Sequence, residues 1–309
     1  MGAYRNGGLF LLLSVLWGSS FVVIKAGLEY IPPVLFASLR YDVAGLLLLG
    51  YAALATDRWL PRSRDDWTEI LVGSVLVIAA YNIFLFVGEQ GVTSGVAAIL
   101  VATSPILTTG FSRLFLPDSR LTPLGLVGLG CGFLGVVLVA LPSTGTVTVD
   151  ELVAPGLVFL AAVSVALGSV LIERTDGDID TEGGVAWSFT LGAVGMHATS
   201  AVLPTEAVGD LSLTVEAVVA LAYLSILASV VGYVIYFRLL DRLGAVDINL
   251  VSYVAPVVAA LVGWLLLGEQ LDPLTVLGFG IIATGFGLLK REAVLERAAS
   301  LRQLLVTGA

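Results

Sequence analysis

The sequence predicts an all-α integral membrane protein with ten transmembrane helices. Apolar residues make up 58% of its 309 residues and charged residues only 13%, about half of the roughly 25% that is usual in soluble domains. A soluble globule of this size could not bury so much apolar surface, and the same hydrophobicity excludes intrinsic disorder. The apolar residues also form runs of about 20, the length that crosses a bilayer core as a helix.

Ten such runs are separated by charged residues, prolines and turn residues. Helices are required because a spanning backbone finds no water to bond in hydrocarbon, and the runs are too long for barrel strands. The first run has no Ala-x-Ala-like cleavage site before its end, so we interpret it as a retained helix rather than a signal peptide. The predicted spans are 8–27, 34–55, 69–88, 92–115, 123–141, 152–172, 183–203, 215–237, 246–267 and 273–289.

Lysine and arginine are distributed unevenly over the predicted loops. With the N-terminus inside the cell, every Lys and Arg except Lys25 and Arg40 falls on a cytoplasmic segment, whereas the opposite loops carry only acidic charges. The positive-inside rule therefore predicts a plasma-membrane protein with both termini in the cytoplasm. In the tail, residues 291–309, apolar side chains at helical spacing fit either a helix on the membrane surface or a frayed end.

Several classes of function are excluded by what the chain lacks. The chain has one cysteine, Cys131, and one histidine, His197. It therefore cannot form a disulfide framework, a cysteine-rich zinc module or a multi-histidine metal site within one chain. The net charge of −9 argues against a nucleic-acid partner. We expect no cofactor and no metal ion. Arginine greatly outnumbers lysine and the polar loops are acidic, which predicts a salt-adapted, halophilic source.

The two halves of the chain match each other in order at a shift of about 150 residues, which indicates an internal repeat. Because each copy has five helices, the second copy must enter the membrane from the opposite face. This predicts two inverted repeats, residues 1–145 and 146–290, an architecture typical of secondary transporters with a substrate site between the repeats. The matches include Tyr81-Asn82 with Gly232-Tyr233, Phe86 with Phe237, Pro105 with Pro256, and Gly128, Gly130 and Gly135 with Gly278, Gly280 and Gly285.

Short motifs recur through both halves. The first half carries Trp17-Gly18-Ser19-Ser20-Phe21, Lys25, Leu39-Arg40, Tyr81-Asn82, Ser94, Ser104-Pro105 and Leu121-Thr122, and the second carries Ala255-Pro256, Leu267-Gly268-Glu269-Gln270-Leu271 and Gly278. With these motifs the chain resembles the EamA branch of the drug/metabolite transporter superfamily over residues 9–289. It departs from that pattern at residues 117–120, where the family usually has a Gly-Glu pair, and at residues 167–169, where Leu-Gly-Ser replaces Trp-Gly-Ser.

The resemblance implies a secondary transporter of small organic metabolites, often an exporter of amino acids or related compounds, that works by alternating access. Uptake or exchange of a phosphorylated or nucleotide-linked metabolite is the alternative, but it needs several cations in the cavity, where only Arg40 and Lys25 are available. A membrane-embedded lipid enzyme is less favoured, because the spans lack a Gly-x-Ser-x-Gly motif, a histidine pair and an acidic metal cluster. The expected partners are a small-molecule substrate and the lipid bilayer, with the oligomeric state left open.

Ionisable residues inside a membrane are costly, and we therefore treat them as candidate functional residues. Arg40 and Asp42 in the second span are suited to a substrate carboxylate and ammonium, respectively. The alternative is a structural pair, or an arginine that reaches the outer interface. His197 is a candidate for proton coupling, or a packing histidine. No acidic residue lies in the middle of the first span, which disfavours proton antiport by the route of the small multidrug exporters.

Aromatic and amide side chains near the middle of the spans predict an aromatic-walled cavity for a small molecule, although each could instead pack helices together. They are Trp17, Asn82, Trp187, Tyr233, Asn249 and Tyr253. Pro105 and Pro256 lie near the centres of the fourth and ninth spans, where proline removes a helical hydrogen bond and favours a kink. We expect them to be hinges of alternating access, or static kinks.

Overall fold

The computed structural model describes residues 2–115, 123–141, 148–206 and 211–289. Within these ranges every regular element is a helix and there is no strand, which confirms the all-α prediction. The C-terminal tail, residues 291–309, lies outside the described residues. The helices of the described ranges are α1 (Gly2–Gly27), α2 (Pro33–Ala55), α3 (Arg64–Glu89), α4 (Ser94–Phe115), α5 (Pro123–Ala140), α6 (Val149–Glu173), α7 (Thr181–Val202), α8 (Val215–Gly244), α9 (Val251–Leu267) and α10 (Pro273–Leu289).

Six helices are long and apolar enough to cross a membrane, namely α1, α2, α3, α4, α6 and α8. Shorter apolar helices are α5, α9 and α10. Large apolar side chains such as Leu54, Leu114 and Leu266 are mostly exposed on the bundle surface, as expected where lipid rather than water is the solvent. The chain is a multi-pass membrane protein, while ten spans and the orientation of the termini stay predictions.

Two helices begin earlier than their apolar runs suggest, because polar capping boxes start them. The Ser63 hydroxyl accepts from the Asp66 backbone N–H while the Asp66 carboxylate accepts from the Ser63 backbone, which begins α3 before residue 69. Thr148 and Glu151 make the same reciprocal pair, and α6 begins before residue 152. The capping box satisfies two backbone N–H groups that a helix start leaves unbonded. Hydrophobicity alone therefore misses the first, polar turn of these helices.

Two helices contain a stretch of π-helix inside their α-helical length. The first is Gly73–Ala80 in α3 and the second is Tyr223–Val231 in α8. A π-helical stretch widens the turn and loosens the usual hydrogen-bond ladder, and such stretches are frequent at functional sites. These segments lie in the third and eighth helices, which the sequence repeat places in correspondence.

The two mid-span prolines differ in their surroundings. Helix α4 is interrupted by a turn at Ala102 and Thr103, before Ser104 and Pro105. Proline has no N–H to bond the carbonyl group four residues earlier, and its ring crowds that carbonyl, so the helix opens in the preceding turn. Helix α9 instead runs without interruption through Pro256. A hinge at either proline stays a prediction.

The helices of the two halves pack in a reciprocal pattern. Helix α5 packs along α10, and α2 packs along α7. Helix α1 contacts α8 and α9, just as α6 contacts α3 and α4. The backbones of α5 and α10 approach closely, since a Cβ placed on Gly135 would lie 2.7 Å from the Gly278 carbonyl oxygen. Small residues permit this approach, as is usual between membrane helices.

Candidate functional site

Five aromatic side chains from four helices meet inside the bundle, and we call them the aromatic cluster: Trp17 (α1), Tyr41 (α2), Phe189 (α7), Tyr233 and Tyr236 (both α8). The Tyr233 ring centroid lies 5.0 Å from that of Phe189 and 5.6 Å from that of Trp17. Tyr41 contacts Phe189 edge-on at 4.6 Å. Ring pairs at these separations are favourable tilted or edge-to-face contacts. The cluster therefore joins α1 and α2 of the first half to α7 and α8 of the second.

Side chains bind the backbone of both π-helical segments. The Trp17 indole nitrogen donates to the carbonyl oxygen of Ala228 at 3.1 Å, and the Asn82 amide nitrogen donates to that of Ile78 at 2.7 Å. Ala228 and Ile78 are each the sixth residue of their segment. The Asn82 side-chain oxygen is buried and has no hydrogen-bond partner in the described part of the chain.

Arg40 of α2 is a buried cation beside the aromatic cluster, with only 8% of its surface exposed. Its Nε donates to the Ser229 hydroxyl of α8 at 3.1 Å, and its Cζ lies 5.0 Å from the Tyr41 ring centroid. Within the described residues no carboxylate lies at ion-pair distance from Arg40. A guanidinium carries five N–H donors in a planar fork that matches a carboxylate or phosphate. Arg40 therefore has unused donors in a largely desolvated position.

Asp42 does not join Arg40 at this site. Its carboxylate oxygen lies 2.7 Å from Nε2 of His197 in α7, and the two side chains are 41% and 40% exposed, respectively. Asp42, proposed for a substrate ammonium, and His197, proposed for proton coupling, therefore contact each other. Their contact is separate from the ring contacts of the aromatic cluster. Their roles in transport stay predictions.

The other predicted site residues lie elsewhere in the bundle. The Trp187 indole nitrogen donates to the Trp59 carbonyl oxygen at 3.1 Å, at the loop between α2 and α3. Asn249 is exposed in the turn between α8 and α9. The Tyr253 ring packs at 4.5 Å on Phe286 of α10, and its buried hydroxyl has no partner within the described ranges.

The residue patterns did not point to Tyr41, Phe189 or Tyr236, although they lie in the aromatic cluster. Aromatic residues are common in apolar spans, and the spacing within one helix does not say which of them meet residues of another helix. Trp17 and Tyr233 were identified because both lie near the middle of a predicted span. Tyr233 also matches Asn82 in the internal repeat. Ser229 carried no signal, because a serine inside a helix usually bonds its own backbone.

One end of the bundle, which we call the α1–α2 side, carries the loop residues 28–32, 90–93, 203–206, 211–214 and 268–272. Two acidic residues from the second half cap helices of the first half there. The Glu206 carboxylate accepts from the backbone N–H groups of Val34 and Leu35, at 3.0 and 2.9 Å. The Glu269 carboxylate accepts from the backbone and the hydroxyl of Ser94. A carboxylate at a helix start bonds free N–H groups and meets the positive end of the dipole.

Lys25, at the end of α1, is bound on the same side. Its ammonium donates to the carbonyl oxygens of Glu89, Gln90 and Val92 at 2.8, 3.0 and 2.9 Å. These three bonds use all three donors of the ammonium. Lys25 therefore ties α1 to the end of α3 and is not free to bind an anion in this conformation. A pocket of about 390 Å³ opens beside it.

The opposite end of the bundle carries a third acidic cap, at the start of α3. The Asp66 carboxylate, 1% exposed, accepts from the backbone N–H groups of Arg62, Ser63 and Asp178. Arg58 adds an ion pair with Asp178 at 3.2 Å, which is exposed and contributes little. The loop between α2 and α3 is thus joined to the loop between α6 and α7. Among the described residues no group of three His, Cys, Asp or Glu side chains is placed to hold a metal ion.

Apolar helices around a buried cation and an aromatic cluster define a multi-pass membrane protein with a polar site inside its bundle. A profile of the EamA-like transporter family matches residues 6–141 and 153–290, once in each half. The chain belongs to this family, which confirms the resemblance seen in its motifs.

Relatives extend over most of the chain. It is 32% identical over 276 residues to a protein of Escherichia coli K12 named as an uncharacterized inner membrane transporter, YedA, covering 89% of this chain and 87% of that protein. It is 27% identical to a transporter of Archaeoglobus fulgidus, covering 89% and 95%. A solved crystal structure shares the fold, with a TM-score of 0.64 at 19% identity, and the match covers 96% of this chain and 99% of that one.

Proposed function

We propose that this protein is a secondary transporter that exports small organic metabolites, most of all amino acids or related compounds, by alternating access. The observation that carries the proposal is the buried guanidinium of Arg40 beside the aromatic cluster. A substrate carboxylate fits the free donors of the guanidinium, and aromatic faces suit an apolar or cationic substituent. The outward direction rests on the resemblance to exporters of the family.

The packing of the helices supports an inverted repeat as the moving machinery. In the repeat, α1 corresponds to α6 and α4 corresponds to α9. The contact of α1 with α9 therefore has its counterpart in the contact of α6 with α4, and both contacts occur. The π-helical segments of α3 and α8 correspond in the same exchange. A substrate between such halves becomes accessible from either side when one half rocks against the other.

Exchange of a phosphorylated or nucleotide-linked metabolite is less well supported. Such a substrate carries two or more negative charges and calls for several cations at one place. Lys25 is bound to three backbone carbonyls at the α1–α2 side, which leaves Arg40 alone beside the aromatic cluster. An enzyme acting on lipid has no supporting constellation among the described residues.

Efflux from liposomes tests the proposal. Purified protein is reconstituted in liposomes that contain a metabolite extract, and mass spectrometry identifies the compounds that leave faster than from protein-free liposomes. We expect selective loss of amino acids or amino-acid-like carboxylates. Selective loss of sugar phosphates or nucleotide conjugates instead would support the alternative. No release under any pH, salt or ion gradient, from a folded preparation, would contradict transport itself.

The same assay tests Arg40. Arg40→Gln keeps hydrogen-bonding capacity toward Ser229 but removes the charge, and we expect efflux to fall by about tenfold or more, because bonds to a charged group contribute about 1.5–3 kcal/mol. Arg238→Gln is the matched control, since Arg238 is exposed on α8. Equal efflux from both variants would remove Arg40 from the substrate site.

A further inference from the structure

The last residue of α3, Glu89, carries a carboxyl group that no contact explains. Its exposed fraction is 0%, and neither carboxyl oxygen has a hydrogen-bond partner in the described part of the chain. Two other acidic groups of this side, Glu206 and Glu269, each cap a helix start. Burial of an ionised carboxylate without donors is very unfavourable. Glu89 therefore differs from them in having neither exposure to solvent nor a hydrogen-bond donor.

The Lys25 ammonium makes no ion pair with this carboxyl group. Lys25 donates its three protons to backbone carbonyls, including that of Glu89 itself. No ion pair joins Lys25 to the Glu89 side chain among the described residues. The ammonium is thus used to hold the chain at the end of α3, and the carboxyl group next to it stays unbonded.

No other charged or titratable group of the described residues bonds the Glu89 carboxyl oxygens. Lys25 of α1, Arg40 of α2, Glu269 of the loop after α9 and Tyr81 of α3 interact electrostatically with Glu89. Arg40 donates to Ser229, and Glu269 accepts from Ser94. A neutral carboxyl group avoids most of the cost of burial that an ionised one would have here.

From this geometry we propose that Glu89 is a proton-binding site that must be occupied for the α1–α2 side to close. The inference rests on the proposed function, since closing and opening of this side are steps of alternating access. With the side open, water reaches Glu89, the carboxyl O–H bond breaks and the proton goes to water. Lys25, released from the three carbonyls, then pairs with the carboxylate. On closing, a hydronium ion returns one proton to the carboxylate, leaving water, and Lys25 rebinds the carbonyls.

A proton fits this site better than a metal cation. Sodium or another hard cation needs several oxygen ligands. The carbonyl oxygens of Glu89, Gln90 and Val92, which could supply them, are occupied by the Lys25 ammonium. One proton on the carboxyl group needs no further ligand.

Infrared spectroscopy tests the site without any substrate. The stretching band of a protonated carboxyl group is recorded for the purified protein with ¹³C-labelled glutamate, which separates glutamate from aspartate. We expect one protonated glutamate at a pH of about 7, where an unperturbed Glu is ionised. The band should vanish in Glu89→Gln and stay in Glu29→Gln, which changes an exposed glutamate of the same side. Absence of the band from the unmutated protein would overturn the proposal, whether or not the variants fold.

Transport tests the consequence for closing. Exchange of a radiolabelled amino-acid mixture across liposomes is measured at equal pH on both sides. We expect exchange to fall by about tenfold from mildly acidic to alkaline pH, because charged Glu89 opposes closing, and to change less than about twofold in Glu89→Gln, which mimics the protonated form. Glu29→Gln should keep the unmutated profile. If Glu89→Gln keeps that profile too, the proposal is wrong.

The two measurements separate the inference from the proposed function. Absence of amino-acid exchange in every variant would contradict the proposed function, while the infrared band would still decide whether Glu89 holds a proton. Sodium-dependent exchange with no protonated glutamate would replace the proton by a metal cation and overturn the inference alone.

Discussion

The indole nitrogen of Trp17 in α1 donates a hydrogen bond to the carbonyl oxygen of Ala228, 3.1 Å away in the π-helical segment of α8. The bond joins the first half of the chain to the second at a place where the helical ladder is loosened. The same indole ring packs against Tyr233 and Tyr236. Trp17 therefore contributes both a hydrogen bond and ring contacts to the interface of the two halves.

Replacement of Trp17 by Phe separates these two contributions. Trp17→Phe keeps a ring beside Tyr233 but leaves the Ala228 carbonyl without its side-chain donor. We expect the free energy of unfolding to fall by about 1 kcal/mol or more, measured as a lower melting temperature in detergent. Trp264→Phe, on a tryptophan that is 59% exposed, is the control and should leave the melting temperature nearly unchanged. Equal melting temperatures for both variants would contradict a structural role of the bond.

The acidic cap at Asp66 gives a second prediction. Asp66→Asn replaces a carboxylate that accepts from the backbone N–H groups of Arg62, Ser63 and Asp178. We expect a loss of about 1–3 kcal/mol in the free energy of unfolding, since one amide oxygen cannot replace all of these charge-assisted bonds.

Asp65 offers a matched control for Asp66. It lies in the same first turn of α3 but is exposed, so Asp65→Asn should change the free energy of unfolding by less than about 0.5 kcal/mol. Thermal unfolding of both variants in the same detergent decides the matter. A loss of equal size in both would show that the net charge of the turn, and not the bonds of Asp66, is responsible.

Most of the helices could be predicted because the signal for a membrane helix lies within its own segment of the sequence. Each apolar run must satisfy its own backbone within the segment, so its length and composition suffice to locate it. The first turns of α3 and α6 could not be located in this way, because Ser63 and Thr148 start them with polar bonds rather than apolar side chains. The π-helical stretches gave no signal either, since an apolar run predicts a helix but not the spacing of its hydrogen bonds.

The candidate site was harder to predict because it depends on contacts between distant helices. Arg40 was identified, since a cation inside a span is unusual whatever surrounds it. Asp42, only two residues away, turned out to contact His197, which the spacing could not show. Glu89 stands at a helix end next to polar residues, where a glutamate normally reaches water. Its burial follows only from the packing of α3 against the neighbouring helices.

The contact of α5 with α10 predicts a sharp difference between two glycines on one helix. A Cβ on Gly278 would lie 2.7 Å from Val139 Cγ2 and 2.9 Å from the Gly135 carbonyl oxygen, whereas a Cβ on Gly280 would meet nothing within 4 Å. We expect Gly278→Ala to destabilise the protein by about 1–3 kcal/mol, because the two backbones must move apart. Gly280→Ala should be neutral or slightly stabilising. Melting temperatures in detergent compare the two, and equal destabilisation would show that α5 and α10 are not packed this closely.

The cap of α2 by Glu206 predicts a local effect on backbone protection. Glu206 is 4% exposed, and its two carboxylate oxygens each accept one N–H of the first turn of α2, from Val34 and Leu35. Glu206→Gln leaves one acceptor oxygen and removes the charge, so we expect a loss of about 1 kcal/mol in local stability. Hydrogen exchange measured by mass spectrometry should then be faster by about fivefold in the peptide that contains these two residues.

Glu216→Gln is the control for Glu206, because Glu216 is exposed in the first turn of α8 on the same α1–α2 side. It removes an equal charge without touching α2, so exchange at Val34 and Leu35 should stay unchanged. Faster exchange in both variants would mean that the summed acidic charge of this side holds it closed. Faster exchange in Glu206→Gln alone means that a single carboxylate from the second half fixes the start of a first-half helix, and that opening of this side must break its two bonds.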